Sequence, residues 1–400
     1  MLALDTYGTL VAASLVLLFG RKIVAVTPPL RAYSIPEPVA GGLLVALGLL
    51  LARVTADVQV QFDTSIQTPL MLAFFASLGL GADLASLKKG GKTVAIFLFV
   101  VLGLLLMQNA IGIAIASALG LNPLMGLLAG SITLSGGHGT GAAWSSVFTQ
   151  TYGLESATEV AIACATFGLV LGGLIGGPVA RHLVKKVSLP TGEAADTSHP
   201  MAFEQPKAVR LITAQAFIET LALIVTCLAG GQAIASWLNG TWLELPTFVC
   251  VLFVGVVLRN GLGKLGWYHV FDRAVSVLGN VSLSLFLAMA LMSLKLWELA
   301  SLALPMLLIL TVQTLAMALY AMFVTFRVMG RNYDAAVLAA GHCGFGLGAT
   351  PTAIANMQAI TDRFGPSHLA FLVVPMVGAF FIDITNAIVI KLFLFLPIYG

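Results

Sequence analysis

The sequence predicts an all-α polytopic membrane protein of about ten transmembrane helices. They are arranged as two inverted five-helix repeats, each with a glycine-rich re-entrant hairpin. Three observations lead there. Hydrophobic residues make up 59% of the 400 residues and charged ones 9%, against roughly 25% charged in ordinary globular proteins. With a mean hydropathy of +1.00, that much apolar surface exceeds what one soluble core hides. The basic residues cluster in alternate loops, and two glycine-rich stretches, "SGGHGTGAAW" and "GHCGFGLGATPT", interrupt the apolar sequence at matching places in the two halves.

A bilayer core takes about 20 apolar residues per helix. In chain order such runs lie at 7–26, 36–53, 68–87, 94–118 and 158–184, then 211–238, 246–262, 277–296, 300–327 and 366–397. In the first run the basic residues Arg21 and Lys22 come late, and no small-residue cleavage site follows. That is the reverse of a secretory signal peptide, so the run reads as a spanning helix with its N-terminus outside. The stretches 122–147 and 334–360 are apolar but broken by glycine.

The positive-inside rule decides whether those two stretches cross. If they do not, Arg21, Lys22, Arg31, Lys88, Lys89, Lys92, Arg181, Lys185, Lys186, Lys207 and Arg210 lie inside. So do Arg259, Lys264, Arg273, Arg327, Arg331 and Arg363. Only Arg53, Lys295 and Lys391 remain outside, and both chain termini fall on the outer side. If either stretch crossed, every later loop would be inverted. Both therefore enter the membrane and turn back.

The hydrophilic segment 185–208, "KKVSLPTGEAADTSHPMAFEQPKA", reads as a cytoplasmic linker between an N-terminal repeat (1–184) and a C-terminal repeat (209–400). The halves share weak similarity: "IPEPVAGGLLVALGLL" matches "LELPTFVCVLFVGVVL", and Gln108 precedes His138 much as Gln313 precedes His342. With five spans each, the second copy is inverted, so one hairpin dips in from outside and the other from the cytoplasm. Inverted repeats with matching breaks point to a transporter site near the midplane.

Four segments, "EPVAGGLL", "LAGSITLSGGHGTGAAW", "ATFGLVLGGLIGGP" and "AAGHCGFGLGATPTAIANMQAIT", carry a closer likeness. The chain resembles the bacterial sodium/glutamate symporter family over essentially its whole length. The resemblance implies import of L-glutamate with sodium as coupling ion across the inner membrane, no cofactor, a homodimer and elevator-type alternating access.

The chemistry of the breaks is consistent with that. Irregular backbone at membrane depth needs protein or a water-filled cavity to satisfy it. Glycine lets a ligand approach the main chain, and helix N-termini hold carboxylates. Candidate substrate-binding residues are Ser135, Gly136, Gly137, His138, Gly139 and Thr140 in the first break. In the second they are Gly341, His342, Gly344, Gly346, Thr350, Pro351, Thr352 and Asn356. An ionisable residue inside a span is a functional hypothesis by default, and hard cations prefer oxygen ligands. Asp383 with Thr385, Asn386, Ser131 and Thr133 is thus the candidate sodium set. Glu219 and Asp83 are weaker candidates, and Gln108, Asn109 and Gln313 either line the path or bond between helices. His138 and His342 either shuttle protons or fix their hairpins by hydrogen bonds; the bland reading is preferred. The glycines of "GLVLGGLIGG" read as helix packing.

Other classes fit less well. No basic patch with interleaved aromatics suggests nucleic acid, and the four cysteines lack metal or disulfide spacing. "SLKKGGKT" has Ser86 where a phosphate-binding loop needs glycine. Catalytic residues are not expected. An intramembrane serine hydrolase using Ser135 lacks a GxSxG elbow. A proton-coupled or other carboxylate transporter of the same architecture, and a channel with paired re-entrant loops, remain as alternatives.

Overall fold

The computed structural model describes residues 2–32, 35–57, 59–187, 212–241, 245–294 and 302–398. Most of the expected linker, including Lys207, lies outside the described residues, as do Arg210 and Lys295. The side chains of Arg31, Lys88 and Lys89 are likewise not described.

The first half comprises β1 (Leu2–Leu4), α1 (Thr6–Val26), α2 (Pro28–Ala32), α3 (Glu37–Ala56), β2 (Val60–Phe62), α4 (Gln67–Gly81) and α5 (Leu84–Ala118). It continues through α6 (Pro123–Leu127), α7 (Gly137–Tyr152) and α8 (Ala157–Val184). The second half comprises α9 (Ala214–Leu238), α10 (Thr247–Leu265), α11 (Asp272–Met292), α12 (Ala303–Tyr320) and α13 (Phe326–Val328). It ends with α14 (Tyr333–Leu347), α15 (Thr350–Phe364), α16 (His368–Met376) and α17 (Ile382–Leu394). Wide π turns at Leu128–Ile132, Ala321–Thr325 and Val377–Phe381 extend α6, join α12 to α13 and join α16 to α17.

Local sequence explains where many helices start. Asp5 caps α1 by accepting from the Gly8 N–H at 2.8 Å, and Asn122 caps α6 with Pro123 in the first turn. Thr213, Asn332 and Ser367 do the same for α9, α14 and α16. Each satisfies a backbone donor that the helix leaves without an internal partner.

Among the described residues, eight helices are long and apolar enough to span a membrane, or nine if the bent α16–α17 pair is one span. About ten were expected, and the difference is the run at 68–87. There α4 ends at Gly81 after 15 residues, about 22 Å at 1.5 Å per residue, short of a roughly 30 Å core. Ala82 leaves helical geometry with ψ 85°, and α5 begins two residues later. The last run, 366–397, is also not straight: it bends by 48° around Val377–Phe381. One small departure from all-α is the parallel pairing of β1 with β2, Leu2 opposite Val60 and Leu4 opposite Phe62.

The outward faces are apolar. Tyr7, Val11, Leu15 and Leu18 of α1 form an exposed stripe at helical spacing, as expected of a lipid-facing helix. The helices pack as two groups. One contains α1, α3, α4, α9, α10 and α11; the other contains α5 to α8 with α12 to α17. Each group takes consecutive elements from both halves of the chain. They meet chiefly where α11 touches α7, α10 touches α17, and α4 touches the Val377–Phe381 turn. Close glycine contacts tie the first group together: a Cβ on Gly79 would lie 2.2 Å from the Leu252 carbonyl, and one on Gly41 the same distance from that of Val16.

Candidate functional site

Both glycine-rich stretches fold as two helical arms around a break. In the first, α6 and its π turn lead through helical Thr133 and Leu134 to a turn at Ser135 and Gly136, after which α7 begins at Gly137. Gly137 has φ +70°, a left-handed conformation that a side chain disfavours. In the second, α14 ends at Leu347, Gly348 leaves helical geometry at φ −143° and ψ −97°, and Ala349 is extended before α15 starts at Thr350 with Pro351 in its first turn. The arms run past the expected limits of 147 and 360, to Tyr152 and Phe364.

The two breaks touch. Ser135 Oγ donates to Gln108 Oε1 at 2.8 Å and lies 3.2 Å from the Gly346 carbonyl. Gln108 Nε2 donates to the same Gly346 carbonyl at 2.7 Å. A Cβ built on Gly137 would sit 3.7 Å from the Gly348 carbonyl oxygen. Gln313 makes the reciprocal connection, donating from Nε2 to the carbonyl of Gln108 at 2.6 Å and of Ala129, in the first hairpin, at 3.3 Å. Each half's glutamine thus holds a carbonyl of the other half's hairpin.

A third irregular segment joins them. The Thr350 hydroxyl donates to the Gly378 carbonyl at 2.8 Å, which ties the second break to the bend before α17. The sequence reads 366–397 as one span. Its signal was Pro375 near Gly378, since proline removes a helical hydrogen bond and crowds the preceding turn.

The candidate sodium residues divide. Ser131 Oγ donates to Asn386 Oδ1 at 2.6 Å, Asn386 Nδ2 donates back to the Ser131 carbonyl at 2.9 Å, and the Ser131 N–H goes to Asn109 Oδ1 at 2.9 Å. The Asp383 carboxylate faces the Thr140 hydroxyl. Thr385 and Thr133 instead turn to their own backbone, at Phe381 and Leu128. Asn109 Nδ2 and Gln313 Oε1 are buried beside the first break, with no hydrogen-bond partner among the described residues.

The candidate substrate residues divide as well. Ser135, Gly136, Gly137, Gly346, Thr350 and Pro351 lie at or next to the breaks. His138, one residue on, pairs through Nε2 with Thr166 of α8 at 3.0 Å. His342 is fully buried, with Nδ1 2.9 Å from the Thr325 hydroxyl and its ring stacked on Phe345. Neither threonine partner was legible in sequence, because a lone threonine in a span usually bonds its own helix. Asn356 donates to the carbonyls of Gly172 and Ala340, and Thr352 is buried between the arms. Gly341 and Gly344 pack tightly: a Cβ would meet Met357 and Val374 at the first, and the Ala353 backbone at the second. Gly139 instead faces Phe74 and Leu283 of the other helical group.

The glycines of "GLVLGGLIGG" seat the second hairpin. A Cβ on Gly168 would lie 2.2 Å from the Leu347 carbonyl, one on Gly172 3.1 Å from that of Gly344, and one on Gly176 would strike Asn356. Glu219 is remote from the breaks, bonded to Tyr268 and Gln215. Asp83 sits in the α4–α5 turn. Among the described residues no cluster of three or more His, Cys, Asp or Glu suits a metal ion.

A cavity of about 920 Å³ lies between the two helical groups. Its walls include Gln67 of α4, Gln232 of α9, Phe248 of α10, Ala143, Trp144, Ser146, Val147 and Gln150 of α7, and Lys391 of α17. All come from the helix ends, or the α7 arm, that charge patterning assigns to the outside. Ala143, the wall residue of α7 closest in sequence to the first break, is one turn from Thr140.

The family model for the sodium/glutamate symporter matches residues 2–366, a stretch that includes both breaks. The chain belongs to the sodium/glutamate symporter family. It is 71% identical to the sodium/glutamate symporter of Escherichia coli (strain K12) over 400 residues, all of both chains. It is 55% identical to that of Haemophilus influenzae over 390 residues, 97% of this chain and 96% of the other. Among solved structures it is similar, at 15% identity and a TM-score of 0.41, to the sodium proton antiporter MjNhaP1 of Methanocaldococcus jannaschii, over 98% of this chain and 99% of that one. The family match stops before α17, so Asp383 and Asn386 lie beyond it, although the full-length relatives extend across them.

Proposed function

We propose that this protein imports L-glutamate into the bacterial cell with sodium as the coupling ion, holding the substrate where the two glycine-rich breaks meet. The contact of Ser135 with the Gly346 carbonyl carries the reading, because it brings together segments 211 residues apart that were each expected to turn back inside the membrane. The N-termini of α7 and α15 both begin there, and their free N–H groups and partial positive charge suit a carboxylate. Opened backbone and hydroxyls suit the ammonium group and the ion. Asp383, facing Thr140, supplies a carboxyl beside the α7 arm, and Gln313 Oε1 supplies an acceptor with unused capacity.

The chain works as two inverted repeats, 1–184 and 209–400, whose hairpins enter from opposite faces, with both termini periplasmic. The group holding both breaks moves against the group of α1, α3, α4, α9, α10 and α11 in an elevator-like alternation, and two copies form a dimer in the inner membrane. Two features support this motion: each group draws on both halves, and the large cavity separates them on the outer side. The hydrolase alternative loses ground, because the Ser135 hydroxyl is engaged by Gln108 and Gly346, and the His138 ring by Thr166.

The test is uptake of labelled L-glutamate into proteoliposomes with an inward sodium gradient. Uptake that requires sodium and stops when an ionophore collapses its gradient supports the proposal. Uptake driven by a proton gradient without sodium would favour the proton-coupled alternative.

A further inference from the structure

Three oxygen atoms gather where the breaks meet. Ser135 Oγ lies 2.8 Å from Gln108 Oε1 and 3.2 Å from the Gly346 carbonyl oxygen. A serine hydroxyl carries one proton, and the shorter contact takes it for Gln108. Ser135 Oγ and the Gly346 carbonyl then face each other as acceptors, and Gln108 Nε2 donates to that carbonyl at 2.7 Å. All three residues are buried. Gly346 stands in the last turn of α14, where helical carbonyls lose their internal donors and carry the helix's partial negative charge. Gln313 Nε2 holds the main-chain carbonyl of Gln108 at 2.6 Å, which ties that residue to α12. A compact cation with several N–H donors suits this set, since it replaces the longer Ser135 contact and reaches Gln108 Oε1 as well. A bare metal ion suits it less: hard cations gather about six oxygens, and here an N–H already points at one of the three.

We propose that Ser135, Gln108 and the Gly346 carbonyl form the subsite for the substrate's ammonium group, with the carboxylates left to the N-termini of α7 and α15. This deepens the glutamate-import reading above and rests on it. Gln108, which no break contains, becomes a specificity-determining residue. It favours an amino acid over a dicarboxylate of the same length, because a ligand without the ammonium leaves buried oxygens facing a carboxylate or lacking a donor.

The experiment measures uptake of labelled L-glutamate into proteoliposomes, per folded transporter, in the wild type, Ser135→Ala and Gln108→Leu. Unlabelled L-glutamate and glutarate, the same dicarboxylate without the ammonium, compete in turn, each raised until it halves the uptake. In the wild type glutarate is expected to need at least about 10 times the concentration of L-glutamate. The L-glutamate value is expected to rise about 3- to 10-fold in Ser135→Ala and about 10-fold or more in Gln108→Leu, while that of glutarate stays within about twofold. Side chains that only hold the breaks together shift both ligands alike or lower the maximal velocity alone, and either result overturns the subsite. So does glutarate that competes as well as L-glutamate in the wild type. A rise confined to the sodium concentration for half-maximal uptake assigns the oxygens to the ion and overturns it too. Should Gln108→Leu fail to fold, Ser135→Ala decides, since it removes one hydroxyl. In each of these cases glutamate import stands; a wild type that takes up no glutamate brings down both.

Discussion

Ser131 and Asn386 are 255 residues apart and bind each other twice, hydroxyl to amide oxygen at 2.6 Å and amide nitrogen to main-chain carbonyl at 2.9 Å. Both are fully buried. The pair fastens the π turn of the first hairpin to α17.

Replacing Asn386 by alanine strands the buried Ser131 hydroxyl, while the Ser131 carbonyl keeps the Gly136 N–H at 3.0 Å. Leaving such a group unsatisfied costs about 1–3 kcal/mol. Asn386→Ala is therefore expected to lower thermal stability in detergent and to reduce uptake, and Asn386→Gln, with one more methylene, to recover neither fully. Melting temperatures and uptake rates measured side by side check this; an unchanged melting temperature contradicts it.

The glycine run of α8 offers a graded test of packing. Gly168→Ala drives a methyl into the Leu347 carbonyl, whereas Gly177→Ala meets nothing within 4 Å. Overpacking of this kind costs about 1–3 kcal/mol. The expected result is severe loss of folded, active protein for Gly168→Ala and near-wild-type behaviour for Gly177→Ala, read by size-exclusion chromatography and uptake. Equal tolerance of both would mean that the second hairpin does not rest on α8 as described.

His138 is expected to act through its hydrogen bond to Thr166. His138→Gln, which can keep a bond to that hydroxyl, should retain much of the uptake activity, and Thr166→Val should mimic His138→Phe. A double-mutant cycle on stability should give a coupling of about 0.5–3 kcal/mol between the two. Additive effects would release His138 from this role and restore the proton-shuttle reading.

Asp63 accepts hydrogen bonds from the Thr6 hydroxyl and the Ser65 N–H. Thr6 first, then Ser65, hold its carboxyl below the usual carboxylate value of 3.8. A depressed folded-state pKa adds stability above the unfolded value and loses it as pH falls through the folded one. Asp63→Asn should thus melt below the wild type at pH 7, and the gap should close at pH below about 3.8. A gap that persists in acid would show that the carboxylate's charge is not what matters.

The sequence made some of this legible and hid the rest for physical reasons. Glycine runs at 136–141 and 341–348 marked both breaks, because they recur with a Gly-His pair at matching places in the two halves. Hydropathy did not reveal the end of α4: Gly81, Ala82 and Leu84 are as compatible with helix as with a turn. Composition also cannot say which way a polar side chain faces within a break. His342 and Asn356 sit in the same glycine-rich stretch as Gly346, yet one turns to Thr325 and the other to α8. The bend at Val377–Phe381 was masked by its apolar neighbours, with Pro375 its one visible mark.

The most direct test of the central claim, that the meeting breaks are the substrate site, is substrate protection. The four native cysteines are buried, so single cysteines at Ser135 and Thr350 can be followed by their reaction with a small thiol reagent in proteoliposomes. The account predicts that sodium with L-glutamate slows modification at both positions, and that sodium with D-glucose does not. Modification rates indifferent to L-glutamate at both positions, in variants that still transport it, would contradict the account.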